Sequence, residues 1–157
     1  MKERPSARRK GNGVQWTILR ISQIQKQQVI KPPSKLTFIY YDEDEFAAFL
    51  DSLPLTVASK VIARIREVSA IGIAEAMALK LVRKVDRKKD IFELRINTEG
   101  IFARSLFFRL EKANEEEDNV ASPTYIITNS FKKKTNKTPS KELKKAIKRK
   151  SNYKNKR

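Results

Sequence analysis

The sequence predicts an α+β fold: an N-terminal strand, an αα-hairpin, an antiparallel-type curved sheet of about four further strands, and a basic C-terminal helix. Three observations carry this. Apolar residues recur at helical spacing from Phe46 to Val68, with Pro54 dividing them into two stretches. The period then drops to two between Leu79 and Phe131. Last, a Thr-Pro step at 138–139 opens a lysine-rich segment with a narrow apolar stripe. Strands following helices in blocks, without βαβ alternation, read as a strand-rich sheet with helices on one face.

Residues 1–13 hold almost no apolar side chain and read as a disordered arm. The stretch 14–30 carries Val14, Trp16, Ile18, Leu19, Ile21 and Ile24, with Trp16 as a core candidate, but its period fits helix and strand alike. Pro32-Pro33 marks the boundary. One domain is therefore expected over 36–153, between a partly disordered basic extension (1–35) and a basic tail (154–157).

Within that domain, LTFIYY (36–41) is β-branched and aromatic, a strand. The acids of DEDE suit a helix start, where the dipole favours negative charge, and Phe46, Phe49, Leu50 and Leu53 continue the helix to Pro54. Val61, Ile65 and Val68 stripe a second helix that Gly72 terminates. Leu79 and Leu81 begin the alternation. IFELRI (91–96) sets Phe92, Leu94 and Ile96 against Glu93 and Arg95. IFARSLFFRL (101–110) is apolar on both faces, as a central strand would be, yet contains Arg104. NEEEDN (114–119) is an acidic loop, and TYIITNSF (124–131) closes the sheet. In the last helix Thr138 is the expected cap and Pro139 the first helical residue; Leu143, Ala146 and Ile147 form the stripe, and residues 151–157 have nothing to hold them.

Composition bounds the chemistry. With no Cys and no His, disulfides, zinc fingers, imidazole metal sites and imidazole-based catalysis are excluded. No apolar run is long enough to span a membrane and no signal peptide is evident, so the expected location is cytoplasmic. The net charge of +17 is polarised. Residues 1–35 hold nine Lys/Arg and one acid, residues 131–157 thirteen and one, and the body between thirteen and sixteen. Such cationic ends most often serve nucleic acid, although an anionic membrane or an acidic protein would also suit them.

The runs FIYYDEDEFAAFLDSLP, KLVRK…IFELRI, GIFARSLFFRL and SFKKKTNKTPSKELKKAIKR, in this order, resemble the RelE/ParE toxin superfamily, above all its phage-derived HigB-like branch. The resemblance spans roughly residues 36–153. Residues 1–35 have no counterpart in it. The chain departs from the pattern in its longer RKVDRKK hairpin, in the acidic loop 111–119, and at Ala103, where the family generally has an aromatic directly before the arginine. The resemblance implies a RelE-like fold and the toxin of a type II toxin–antitoxin system. That toxin would be a metal-independent mRNA endoribonuclease, needing no cofactor, which acts on translated mRNA at the ribosome. A cognate antitoxin, often of helix-turn-helix type, would silence it. Carried over residue by residue, the resemblance implies catalytic roles for Arg95, Arg104, Lys133 and Lys134, with Lys80 a looser match; Lys80, Lys132, Lys137, Lys144 and Lys148 would bind RNA. Two other readings stay open: a non-catalytic RNA- or ribosome-binding protein, and a ParE-like gyrase poison on the same scaffold.

RNA cleavage without imidazole is chemically reasonable, because the 2′-hydroxyl beside each phosphodiester is an internal nucleophile. Arginine forks match phosphate oxygens and stay charged. A lysine serves as base only if its ordinary value near ~10.4 falls by about three units, which crowding by like charges promotes. Tyr125 is a weaker candidate base. From the residues alone, Arg95 could equally be a surface partner of Glu93, Arg104 a structural arginine, the Lys132–Lys134 triplet a solvated patch, and Phe131 either core or a stacking platform.

Overall fold

The computed structural model describes residues 34–111 and 122–155. The N-terminal arm, Trp16 and the acidic loop 114–119 lie outside the described residues.

The chain enters on β1 (Thr37–Tyr40), with Leu36 and Phe38 buried. Helix α1 (Glu43–Asp51) begins where Asp42 adopts extended backbone and its carboxylate accepts the Glu45 N–H at 3.0 Å. Glu43, Asp44 and Glu45 then sit in the first turn, on the positive end of the helix. Helix α2 (Leu55–Ile71) follows Pro54 and buries Val57, Ala58, Val61, Ile62, Ile65 and Val68. It stops as expected at Gly72, whose φ of 90° is in the region that glycine tolerates and whose N–H reaches the Val68 carbonyl.

A short helix α3 (Ile73–Ala78) occupies the place where alternation was expected to begin. Leu79 ends it and is exposed rather than paired in a strand. Lys80 (φ 63°) and Leu81 close the helix, their N–H groups reaching the Met77 and Ala76 carbonyls. This is the Schellman pattern, with lysine where glycine is usual. Strands β2 (Val82–Asp86), β3 (Ile91–Thr98), β4 (Ile101–Arg109) and β5 (Thr124–Lys132) follow. Their number and antiparallel pairing match the expectation for the further strands. The order across the sheet is β1-β5-β4-β3-β2, and only β1 pairs in parallel, with β5. β4 is the central strand. Glu99 and Gly100, both at positive φ, make the two-residue turn that fixes the β3–β4 register.

Helix α4 (Ser140–Asn155) packs on the opposite face of the sheet from α1 and α2. This corrects the expectation of helices on one face, and the cause lies in the strands. Phe92, Leu94, Phe107 and Ile127 belong to the core under α1 and α2. Ile91, Leu106, Phe108 and Ile126 form a second core beneath α4. A bulge allows both: Leu106 pairs with Asn129 and Phe107 with Ile127, leaving Thr128 as the extra residue.

The α4 stripe of Leu143, Ala146 and Ile147 docks on that second core, and Tyr153 extends it against Phe108 and Tyr41. Residues 151–155 therefore continue the helix, where no means of holding them was expected. Arg149 fastens its flank, donating to the Thr128 carbonyl and to Glu45, both at 2.6 Å, above the Tyr41 ring. Among the described residues no helix is long and apolar enough to cross a membrane.

Candidate functional site

Strand parity selects the site. Arg95 on β3 lies opposite Arg104 on β4, and Arg104 opposite Phe131 on β5, so all three project from the face that α4 covers in part. One step toward Glu99 and Gly100, Asn97 pairs with Phe102, and the Lys133 N–H bonds the Phe102 carbonyl at 2.7 Å. One step the other way, Glu93 lies between Arg83 and Leu106. Successive rows on one face are two residues apart, or about 7 Å.

Glu93 anchors this face. It is fully buried, a location carboxylates occupy only when paired. Arg83 Nε donates to its Oε1 at 2.9 Å, and Thr138 Oγ1 donates to its Oε2 at 2.5 Å. Arg104 Nε stands 3.5 Å from Oε1, an ion-pair distance without a hydrogen bond. Arg104 Nη1 donates instead to Asn97 Oδ1 and the Ala103 carbonyl, each at 2.8 Å. Arg104 is 3 % exposed and Lys133 7 %.

Four cations, Arg83, Arg95, Arg104 and Lys133, thus gather about one carboxylate. The Nε groups of Arg95 and Arg104 are buried without a hydrogen-bond acceptor among the described residues. A buried donor left unmet costs about 1–3 kcal/mol, more when charged. Burial pushes the Lys133 ammonium below its ordinary value; Arg83, Arg104 and Arg95 add to the fall, and Glu93 opposes it. Burial likewise lowers Arg104, with Glu93 opposing and Arg95 and Arg83 reinforcing. The face has an excess of positive charge and open donors. Chemically, such an arrangement can receive an anion with several oxygens.

The site residues expected from sequence divide accordingly. Arg95, Arg104 and Lys133 come together. Glu93 does not pair with Arg95, as the spacing allowed, but with Arg83 across the hairpin. Lys134 is exposed beside Lys133, just beyond the strand. Lys132 pairs with Ala103 and so points to the other face, away from the arginines. Lys80 is exposed at the α3–β2 junction, one residue from Leu81, whose carbonyl accepts the Arg95 N–H. Lys137 is exposed in the loop before α4. Lys144 and Lys148 are exposed on α4 away from its docked stripe, outside the cluster. Tyr125 stands among Phe38, Phe92 and Phe107 in the core on the opposite face, where burial raises its hydroxyl. It cannot serve as a base at the arginines. Phe131 is half-buried against the second core.

Thr138 does not cap α4. Its hydroxyl is committed to Glu93, the helix starts at Ser140, and the Pro139 carbonyl accepts the first helical N–H, from Leu143. Arg83 and Thr138 escaped sequence reasoning because their roles depend on the β2–β3 register and on where the loop before α4 crosses the sheet. The spacing of VRKVD from IFELR held part of that signal.

The family model for the phage-derived protein Gp49-like family (DUF891) matches residues 48–151. The chain belongs to this family. The match runs from the last turn of α1 through α2, α3 and all four further strands to Ser151 in α4, and so includes every residue of the cationic face. The Gp49-like proteins are a phage-derived family of RelE/HigB-like toxin type, in keeping with the motif resemblance. No curated protein matches the chain significantly.

Proposed function

We propose that this Gp49-like protein is the toxin of a type II toxin–antitoxin system, an endoribonuclease that cleaves translated mRNA at the ribosome and stops translation. The observation that carries the reading is the cluster of Arg95, Arg104 and Lys133 on one sheet face, with unmet donors and a single internal counter-charge.

A phosphodiester supplies what the cluster lacks. Arg95 and Arg104 offer guanidinium donors to the non-bridging oxygens, whose negative charge grows as the 2′-oxygen attacks phosphorus. Preorganised cations aimed at developing charge are usually the largest catalytic contribution. In the reaction the 2′-oxygen forms a bond to phosphorus, the bond from phosphorus to the 5′-oxygen breaks, and a 2′,3′-cyclic phosphate and a 5′-hydroxyl result. One proton leaves the 2′-hydroxyl and one reaches the departing 5′-oxygen. Lys133, its ammonium lowered by burial and by three arginines, is the side chain best suited to exchange a proton here. Alignment of the 2′-hydroxyl by the ribosome-bound message supplies the remainder, since positioning alone can contribute ~7–11 kcal/mol. Action on the ribosome places the protein in the cytoplasm, and a cognate antitoxin would silence it by covering the cationic face.

The test is to produce the wild type, Arg95→Ala and Lys133→Ala in a translating extract and map mRNA 5′ ends. The reading expects new ends with the wild type and a loss of two or more orders of magnitude in each variant. Identical end patterns in all three, or none with the wild type, would discard the nuclease.

A further inference from the structure

We propose that Phe102 is a stacking platform for an unpaired nucleobase of the bound RNA, and so a substrate-positioning residue; this rests on the nuclease reading above. Phe102 is 48 % exposed and is the one aromatic among the exposed large apolar side chains of the described residues. The others, Leu55, Met77 and Leu79, lie at the start of α2 and around α3. Phe102 lies on the sheet face of the cation cluster. It is two residues from Arg104 on β4, paired with Asn97 on β3, and bonded through its carbonyl to the Lys133 N–H. No other described ring packs against it, whereas Phe38, Phe92, Phe107 and Tyr125 stack together in the core.

The position follows from strand geometry. A phosphate held by Arg95, Arg104 and Lys133 lies about one row, or ~7 Å, from the ring. That is within the reach of a single nucleotide from its phosphate to its base. The backbone beneath Phe102 is fixed by the two-residue turn at Glu99 and Gly100 and by the Lys133 bond, so the ring is presented without ordering a loop. Single-stranded RNA is commonly held by this combination of a cationic track and an exposed aromatic face. Every base has a π-face, but purines offer more area, so the site should favour a purine beside the phosphate it holds.

Binding of fluorescein-labelled 2′-O-methyl oligo(A) and oligo(U) to the full chain tests this, because the blocked 2′-oxygen prevents cleavage during the titration. Wild type should prefer oligo(A). Phe102→Ala should weaken oligo(A) binding about tenfold and narrow the preference, with the slope of log K against log salt unchanged, since no phosphate contact is lost. Phe102→Tyr should bind within about twofold of wild type, while Phe102→Leu, apolar but without a π-face, should follow the alanine variant. Arg95→Ala should lower both affinity and slope. If Arg95→Ala has that effect while Phe102→Ala binds like wild type, the stacking role is overturned and the nuclease reading stands; a ring that contacts a protein instead would give this result. If Arg95→Ala leaves affinity and slope unchanged, the nuclease reading and the stacking role fall together.

Discussion

Glu93→Gln should be the most disruptive conservative change in this protein. The carboxylate is fully buried, bonded by Arg83 and Thr138, and stands 3.5 Å from an equally buried Arg104. Glutamine keeps the volume but removes the charge and one of the two acceptor oxygens. Arg83, Arg95, Arg104 and Lys133 are then left with no counter-charge between them. Removing one partner of a buried ion pair costs about 3–5 kcal/mol, because the other charge stays desolvated. For a domain of this size, each kcal/mol shifts Tm by roughly 3–5 °C, so the fall should be about 10–25 °C. Thermal unfolding followed by circular dichroism measures the shift in Tm, and urea unfolding the free energy. The double variant Glu93→Gln/Arg104→Met supplies the control: with the stranded guanidinium gone, much of the loss should return as a coupling energy above about 1 kcal/mol. If Glu93→Gln unfolds within 1 kcal/mol of wild type, or if the two changes are additive, the carboxylate does not hold this cluster together.

Three further outcomes are expected. Lys133→Met removes a desolvated cation from beside three arginines, so it should raise stability by about 1 kcal/mol while abolishing RNA cleavage; a lower Tm would show that the lysine is structural. Burial tends to raise the Glu45 carboxyl, but hydrogen bonds and charge from Arg149 and Lys145 outweigh it and hold the group below its ordinary value. Its contribution is thus present above the unfolded value near 4.5 and is lost as pH falls through the lower folded value. Wild type should exceed Glu45→Gln in urea midpoint at pH 7, and the gap should narrow as pH falls below 4.5; a gap independent of pH would refute the linkage. Lys80→Gly should stabilise by about 1 kcal/mol, since the residue closes α3 at a φ of 63°, and Lys80→Ala should not; equal midpoints for the two would show that the backbone there is unstrained.

Much of the site was legible in order but not in assembly. Arg104 announced itself by interrupting an apolar strand, whereas Arg95, on the polar face of its strand, and Lys133, within a lysine triplet, were marked by the motif resemblance. The partners were hidden, because a lysine triplet on a strand alternates faces. Lys132 turns away while Lys133 turns in, and only the pairing of Ala103 with Lys132 decides which. Thr138 read as a helix cap because the local rule is sound, yet a buried carboxylate competes more strongly for the hydroxyl. Phe102 was indistinguishable from the core phenylalanines around it until its exposure was known.

The sequence alone determined the element types apart from the short helix α3, together with the αα-hairpin, the stop at Gly72, and a cationic C-terminal helix with one apolar stripe. Local preference and hydrophobic period are properties of neighbours along the chain, and those suffice. Tertiary structure decided the parallel pairing of β1, the face on which α4 docks, and which cations meet. It also decided that a single buried carboxylate holds Arg83 and Arg104. These depend on register, where one residue of slip sends every side chain to the other face. Register is settled by the bulge at Thr128, the turn at Glu99 and Gly100, and the need to bury two apolar faces of one sheet at once.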